Sequence, residues 1–324
     1  MQILVTGGAG FIGSHLCQRL INDGHVVTAL DNFSTGRAAN LQDLTSSSNF
    51  TLIDGSILDT TVLNPLIKES DYIFHMAAAV GVFNIVNNPL ASLLTNIRGT
   101  ENVLESALVT NTPVFLTSSS EVYGKNISDA LKESDNRILG SPVTLRWSYS
   151  EAKAIDESLA YAYFIEKQLE TRIVRFFNTV GPRQLGAYGM VVPRFVKSAL
   201  ANEPITIYGD GNQTRCFAHV YDVIDAVISI AFADNTVGKV INIGNDFEIS
   251  INGLAQKIIA ETGSKSEIVY VPYDEAYGDG FEDMERRVPN IDLINELVGW
   301  KPKRDLTTII SDISEEMKKV PKEK

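Results

Sequence analysis

Residues 6 to 13 read Thr-Gly-Gly-Ala-Gly-Phe-Ile-Gly, directly after the apolar run Ile3-Leu4-Val5 and directly before an apolar-periodic stretch. The chain therefore opens as strand, glycine-rich turn and helix. Gly7, Gly10 and Gly13 follow a G-x-x-G-x-x-G spacing, which allows a tight turn, close backbone approach to a pyrophosphate and close packing of helix on strand. A helix beginning near Phe11 aims unpaired N–H groups and its positive dipole end at such a phosphate. Asp31 follows a second apolar run, Val26-Val27-Thr28-Ala29-Leu30, about twenty residues downstream of the glycines, where a carboxylate accepts both adenosine-ribose hydroxyls. It repels a 2′-phosphate, so the pattern favours NAD over NADP.

Strand-like runs at Ile3–Thr6, Val26–Leu30, Phe50–Ile53, Tyr72–His75, Val114–Thr117 and Arg172–Phe176 alternate with helical patterns. This predicts an α/β fold: a Rossmann-type doubly wound parallel sheet, its strands apolar throughout because both faces are covered. After about Phe177 Gly and Pro become more frequent and the strands shorter (Ile205–Tyr208, Val240–Ile243, Ile268–Val271), with helices at Val191–Ala201, Val220–Ala233 and Ile251–Glu261. We expect residues 1–176 to form the dinucleotide-binding domain and 177–324 a smaller α/β substrate-binding cap, with a cleft between them.

Among 324 residues, 28 Lys and Arg face 40 Asp and Glu, a net charge of −12. No basic cluster precedes the last few residues, which excludes a nucleic-acid partner. An acidic chain that binds a nucleotide must do so with local donors, so its clustered arginines are informative. Two cysteines, Cys17 and Cys216, point to a reducing compartment. The histidines His15, His25, His75 and His219 show no ligand spacing with them, and no metal is expected. The start Met1-Gln2-Ile3 reads as a core strand with no room for a signal peptide, and the longest apolar run, Tyr72–Phe83, is too short to span a bilayer. The expectation is a cytoplasmic protein with no membrane contact.

Tyr149 and Lys153 lie in Trp147-Ser148-Tyr149-Ser150-Glu151-Ala152-Lys153, ahead of a helical pattern carrying Ile155, Leu159 and Ala162. A spacing of four puts both side chains on one helix face. A phenol of ordinary pKa about 10 is lowered by about 1–3 units by an ammonium within about 4–6 Å, and can then act as a base. The fifth strand runs into Thr117-Ser118-Ser119-Ser120-Glu121-Val122-Tyr123-Gly124, polar residues where open α/β sheets bind ligands. Ser119 could share a substrate hydroxyl with Tyr149, and Glu121 sets a carboxylate beside it; read alone, this stretch is a serine-rich loop with an exposed acid.

The glycine turn, Asp31, Ser119, Tyr149-x-x-x-Lys153 and Asn96 in Asn96-Ile97-Arg98-Gly99-Thr100 resemble the extended short-chain dehydrogenase/reductases that act on nucleotide sugars, over essentially the whole chain. That resemblance implies Tyr149 as base, Lys153 as its electrostatic partner and nicotinamide-ribose ligand, Ser119 as hydrogen-bonding partner, and Asn96 as structural or near the nicotinamide. It implies NAD contacts at Gly7, Gly10, Phe11, Ile12, Gly13, Asp31, Asn32, Ser34, Gly36, Ser56, Ile57, Ala77, Asn96, Tyr149 and Lys153. Phe177 to Arg183 and Gly209 to Phe217 resemble the family's substrate-binding segments. Ser119, Glu121, Asn178, Arg183, Arg215 and Arg287 are thus the expected nucleotide-sugar ligands, arginine suiting phosphate through its planar fork. The resemblance also implies a homodimer through Pro89–Val109 and Ser150–Lys167.

In such enzymes Tyr149 would take the C4-hydroxyl proton while the C4 hydride passes to NAD. The 4-keto sugar can be reduced from the other face, can lose a C5 carboxylate as carbon dioxide, or can eliminate its C6 hydroxyl. Arg146 to Lys153, Ser120-Glu121 before Val-Tyr-Gly, and Phe281 to Pro289 look most like UDP-glucuronate decarboxylases, including the lipid A aminoarabinose type and the apiose/xylose synthases. By that likeness Ser120, Glu121 and Arg215 serve decarboxylation and reprotonation. Two departures stand out: Thr179-Val180 where relatives carry a bulky residue, and Ser56 where many carry an Asp. The alternatives are a UDP-hexose or UDP-uronate 4-epimerase, a sugar-nucleotide 4,6-dehydratase, and a non-catalytic NAD-binding regulator.

Overall fold

The alternating apolar runs close into one sheet. In the computed structural model, which describes residues 1–81, 85, 87–186, 190–272, 275, 284 and 286–319, the strands β1 (Gln2–Thr6), β2 (Val26–Asp31), β3 (Phe50–Asp54), β4 (Tyr72–His75), β5 (Val114–Ser119) and β6 (Thr171–Phe176) lie where the sequence predicts them. All pair in parallel. Between them run α1 (Phe11–Asn22), α2 (Thr60–Lys68), α3 (Pro89–Thr110) and α4 (Ser148–Lys167). Local chemistry sets their ends. Asp59 caps α2 by accepting from the Thr61 N–H, a proline opens α3, and α3 and α4 stop at left-handed Asn111 and Gln168.

The second half supplies β7 (Thr179–Val180), α5 (Val191–Ala201), β8 (Ile205–Tyr208), β9 (Thr214–Cys216), β10 (Ala218–His219), α6 (Val220–Ala231), β11 (Val240–Ile243), β12 (Glu248–Ser250), α7 (Ile251–Thr262), β13 (Ile268–Val271), α8 (Asp292–Val298) and α9 (Leu306–Lys319). The sheet order is β3-β2-β1-β4-β5-β6-β11. Here the structure departs from the expected layout. Val240–Ile243, placed by sequence in the cap, is the seventh strand of the main sheet, with Val240 opposite Ile173 and Ile243 opposite Phe176. The physical reason is that Ile241 and Ile243 are apolar and fully buried, as a strand covered on both faces requires. Helix α6 returns with it, and Val223, Val227 and Ile230 join Leu16 and Leu20 of α1 in one core layer.

Leu63, Ile67, Val103, Leu104, Ala160 and Leu169 form the layer on the opposite face. A separate core of Val192, Phe195, Val196, Ile205, Leu254, Ile258, Ile309 and Ile313 holds α5, α7 and α9 together beyond the sheet. Strand order reverses between β1 and β4, which opens a crevice at their carboxyl ends and fixes where a ligand lies. Among the described residues no helix is long and apolar enough to cross a membrane.

Asn242 of β11 ties this strand to the loop after β5. Its Nδ2 donates to the Leu131 carbonyl at 2.9 Å, its Oδ1 accepts from the Tyr123 hydroxyl at 2.8 Å, and its backbone N–H donates to Glu133 Oε1 at 2.8 Å. Asn242→Ala strands two buried polar groups and should lower the unfolding free energy by about 2–4 kcal/mol. In urea this reads as a lower midpoint at unchanged slope.

Candidate active site

The turn after β1 works by having no side chains where side chains would collide. A Cβ on Gly7, whose φ is +71°, would lie 2.7 Å from the Ala77 nitrogen, and one on Gly13 would lie 2.2 Å from the Gly7 carbonyl oxygen. Gly10 starts α1 with no side-chain cap. The first-turn N–H groups of Phe11, Ile12 and Gly13 therefore remain for an anion in the cavity these residues line. At the end of β2, Asp31 accepts from the N–H groups of Ala9 at 2.9 Å and Phe33 at 2.8 Å. Burial pushes its carboxyl up, against those two donors. An uncapped helix end, an approach only glycine permits and an enclosed carboxylate fit a dinucleotide's pyrophosphate and ribose.

Asn32, Ser34, Ser56, Ile57 and Ala77 line the same cavity, of about 510 Å³. Two expected contacts stand one step behind it. Gly36 packs on Asp31, where a Cβ would lie 2.9 Å from both carboxylate oxygens. Asn96 is spent on the cavity wall: its Oδ1 accepts from Ala79 N–H at 2.7 Å and its Nδ2 donates to Ala79 O at 3.2 Å.

The reacting face is built by α4 and the turn after β5. Ser119 Oγ accepts from the Glu121 N–H at 3.2 Å, capping the turn Ser120–Tyr123, and Ser119 lines the cavity together with Tyr149. Ser120 is buried on the cavity wall. Tyr149 and Lys153 share one face of α4, as their spacing predicts, yet the phenol is not acidified. Burial pushes it well above its ordinary value, and the charges of Glu121 and Asp156 push the same way. The reason is that Lys153 Nζ donates to Asp156 Oδ2 at 3.1 Å, both side chains being buried, so its charge is matched locally.

Glu121 is not an exposed acid. Its Oε2 accepts from Arg146 Nη1 at 2.5 Å and its Oε1 from Arg287 Nη1 at 2.6 Å. Burial opposes its ionisation, but the two guanidiniums win and hold the carboxyl well below the usual carboxylate range. Arg287 also donates through Nη2 to Asn178 Oδ1 at 3.1 Å, and Asn178 Nδ2 donates to Cys216 O at 2.9 Å. Arg287 Nε is buried with no hydrogen-bond partner among the described residues. Its motif neighbours Phe281, Glu282, Asp283 and Glu285 lie outside the described residues.

Arg215 lines the cavity and donates through Nη1 to Thr214 O at 2.8 Å. Arg183 also lines it, with φ +66° and a buried Nη1 that has no partner among the described residues. His15 of α1 is hydrogen-bonded to the carbonyl of the preceding Pro182 at 2.9 Å, which sets this corner beside α1. Sequence reasoning passes over Arg194, which stacks 4.3 Å above the Tyr208 ring on the cavity wall. Its only signal is a cation in the first turn of α5.

The sequence pattern of the GDP-mannose 4,6 dehydratase family matches residues 4–313. The chain belongs to that family. Within it, this member is 41% identical over 302 residues to the UDP-N-acetyl-alpha-D-glucosaminuronate decarboxylase of Bacillus cytotoxicus, covering 93% of this chain and 92% of that one. It is 37% identical to UDP-glucuronic acid decarboxylase 1 of Xenopus tropicalis, covering 93% of this chain and 68% of the relative. Among solved structures, UDP-glucuronic acid 4-epimerase from Bacillus cereus, in complex with UDP-glucuronic acid and NAD, superposes with a TM-score of 0.88 at 30% identity, covering 98% and 99% of the two chains. The dehydratase family is thus broader in chemistry than its name.

The Glu121 arrangement has a pH signature. Its folded carboxyl lies below the ordinary 4.5, so its stabilisation is complete above that pH and drains as pH falls toward the folded value. Glu121→Gln leaves two buried guanidiniums facing a neutral amide. We expect the variant to melt below the wild type at pH 7 and the two melting temperatures to converge in acid, as calorimetry across pH would record.

Proposed function

We propose that the protein decarboxylates a UDP-hexuronate, UDP-glucuronate foremost, through a 4-keto sugar with NAD recycled. The observation that carries this reading is the state of Glu121. A 4,6-dehydratase needs an acid and base able to move protons at C5 and C6. The cavity carboxylate of the reacting face, Glu121, is instead ionised, with each oxygen committed to an arginine. Loss of carbon dioxide from a carbon next to a ketone needs no such base. The names of the relatives from Bacillus cytotoxicus and Xenopus tropicalis support the same chemistry and extend it to a 2-N-acetylated uronate.

Bound NAD supplies the hydride acceptor for C4. Its pyrophosphate is assigned to the Gly7–Gly13 turn and the first turn of α1, its adenosine ribose to Asp31, in the part spanning 1–176. The sugar nucleotide is assigned to the 177–324 side, with Asn178, Arg215 and Arg287 as ligands and Arg183 beside the dinucleotide. Tyr149 takes the O4 proton, its raised phenol being lowered by the cationic nicotinamide that bound NAD would place beside it, with the Ser119 hydroxyl holding the same oxygen. Once C4 is a ketone the C5 carboxylate leaves as carbon dioxide, and the electron pair left at C5 delocalises onto O4. The Tyr149 and Ser119 hydroxyls stabilise that oxygen, C5 takes a proton from water beside Ser120, Glu121 and Arg215, and Tyr149 returns its proton to O4 as the C4 ketone is reduced by the hydride it gave up. Lys153 and Asp156 keep the α4 face of the site in place.

The epimerase reading is the second, supported by the likeness to the Bacillus cereus 4-epimerase. It uses the same first step and the same residues. We further assign the protein to the cytoplasm as a homodimer through α3 and α4, on which Leu90, Val109, Ile155, Tyr161 and Ile165 are exposed. Sedimentation should then return twice the chain mass.

Proton NMR of UDP-glucuronate with the purified protein and NAD tests the reaction. We expect a UDP-pentose with loss of the H5 signal of the uronate; a product that keeps the uronate and inverts C4 assigns the epimerase instead. Tyr149→Phe should cut turnover by about 10²–10⁴-fold with NAD affinity unchanged in a fluorescence titration.

A further inference from the structure

We infer that Asp156 is a positioning residue of the reacting pair: it fixes the Lys153 ammonium beneath the cavity and sets how much of that charge reaches the Tyr149 phenol. The inference rests on the proposed role of Tyr149 as the base. Lys153 and Asp156 are 2% and 0% exposed and meet at 3.1 Å. A hydrogen-bonded series that includes His75, which feels the Lys153 charge, lies beside this pair. The Ala77 N–H lies 3.3 Å from Thr6 Oγ1, Thr6 Oγ1 lies 2.8 Å from His75 Nδ1, and His75 Nε2 lies 3.1 Å from Thr100 Oγ1. That series stops at Thr100: Asp156 takes Lys153 on Oδ2, and its Oδ1 is buried with no hydrogen-bond partner among the described residues.

A backbone N–H only donates, so Thr6 accepts from Ala77, the residue against which Gly7 packs. Burial and the Lys153 charge push His75 down to about 3, so the imidazole is neutral and brings no second cation to Asp156. The Lys153 ammonium is the cation that meets the Asp156 carboxylate.

The neighbouring acid is not free for this task. Glu157 takes Arg175 at 2.7 and 2.9 Å and Ser118 at 2.5 Å. Around Tyr149 stand Glu121 with its partners Arg146 and Arg287 on one side, and Lys153 and Asp156 of its own helix on the other. Around Asp156 stand Lys153, Glu157, Thr100 on α3 and, behind it, His75 on β4. With a neutral amide at position 156 the Lys153 charge is no longer matched, and the phenolate gains a cation while losing an anion.

The test titrates Tyr149 by tyrosinate ultraviolet absorbance in NAD-saturated protein, with Tyr149→Phe as the blank, and follows kcat/KM for UDP-glucuronate against pH. Asp156→Asn should ionise Tyr149 at least about one pH unit lower than wild type and move the acid limb of kcat/KM the same way. Asp156→Glu should restore the wild-type titration. If Asp156→Asn lowers thermal stability and leaves the titration in place, the residue is structural only and the inference is overturned. Where that variant does not fold, Asp156→Ser removes the same anion and should shift the titration downward as well; no shift overturns the inference. The absorbance readout needs no turnover, so a wild type that leaves UDP-glucuronate untouched sinks the functional reading and not this one.

Discussion

The approach of α1 to the β1–β4 crevice is the constraint on which the rest of this structure depends. Two missing Cβ atoms permit it: at Gly7 the backbone touches Ala77 on β4's exit, and at Gly13 the helix touches the Gly7 carbonyl. No packing elsewhere compensates for atoms at these places, because the contacts are backbone on backbone. The helix end then meets the switch point of the sheet, where the carboxyl ends of β1, β2, β4 and β5 deliver the glycine turn, Asp31, Ala77 and Ser119 to one cavity. Sheet topology, more than any single contact, brings together residues more than a hundred positions apart.

Electrostatics inside that cavity run against the protein as a whole. The chain carries a net charge of −12, yet Arg146, Arg183, Arg194, Arg215 and Arg287 all line the cavity. Desolvating so many cations is costly. Glu121 offsets part of that cost by engaging two of them, and aromatic stacking under Arg194 offsets more. The outcome is a site that receives a polyanion without long-range attraction from the surface. Affinity for a nucleotide sugar has to come from contact.

The strands and the reacting residues were legible in the sequence because each has a local cause. β-branched runs mark β1 to β6, glycine spacing marks the turn, and a separation of four puts Tyr149 and Lys153 together on α4. What could not be read were pairings across the fold. Nothing near Glu121 in sequence reveals that Arg287, 166 residues away, holds it. Nor does the spacing of Tyr149 and Lys153 reveal that Asp156 matches the ammonium and leaves the phenol above its ordinary value. Val240–Ile243 was readable as a strand but not as a member of the first sheet, since parallel partners are chosen by topology and not by local composition. Asn96 and Gly36 belong to the same class, since they shape the cavity through Ala79 and Asp31.

The corner at Pro182-Arg183 joins the two ends of the chain. His15 of the first helix donates from Nε2 to the Pro182 carbonyl at 2.9 Å, and Glu316 of the last helix accepts from the Arg183 N–H at 2.6 Å. A left-handed residue at 183 is held by both. The carboxyl-terminal helix is therefore a strut for the phosphate turn some three hundred residues earlier, and trimming or retuning it gives evolution a distant handle on coenzyme retention that leaves the reacting groups untouched.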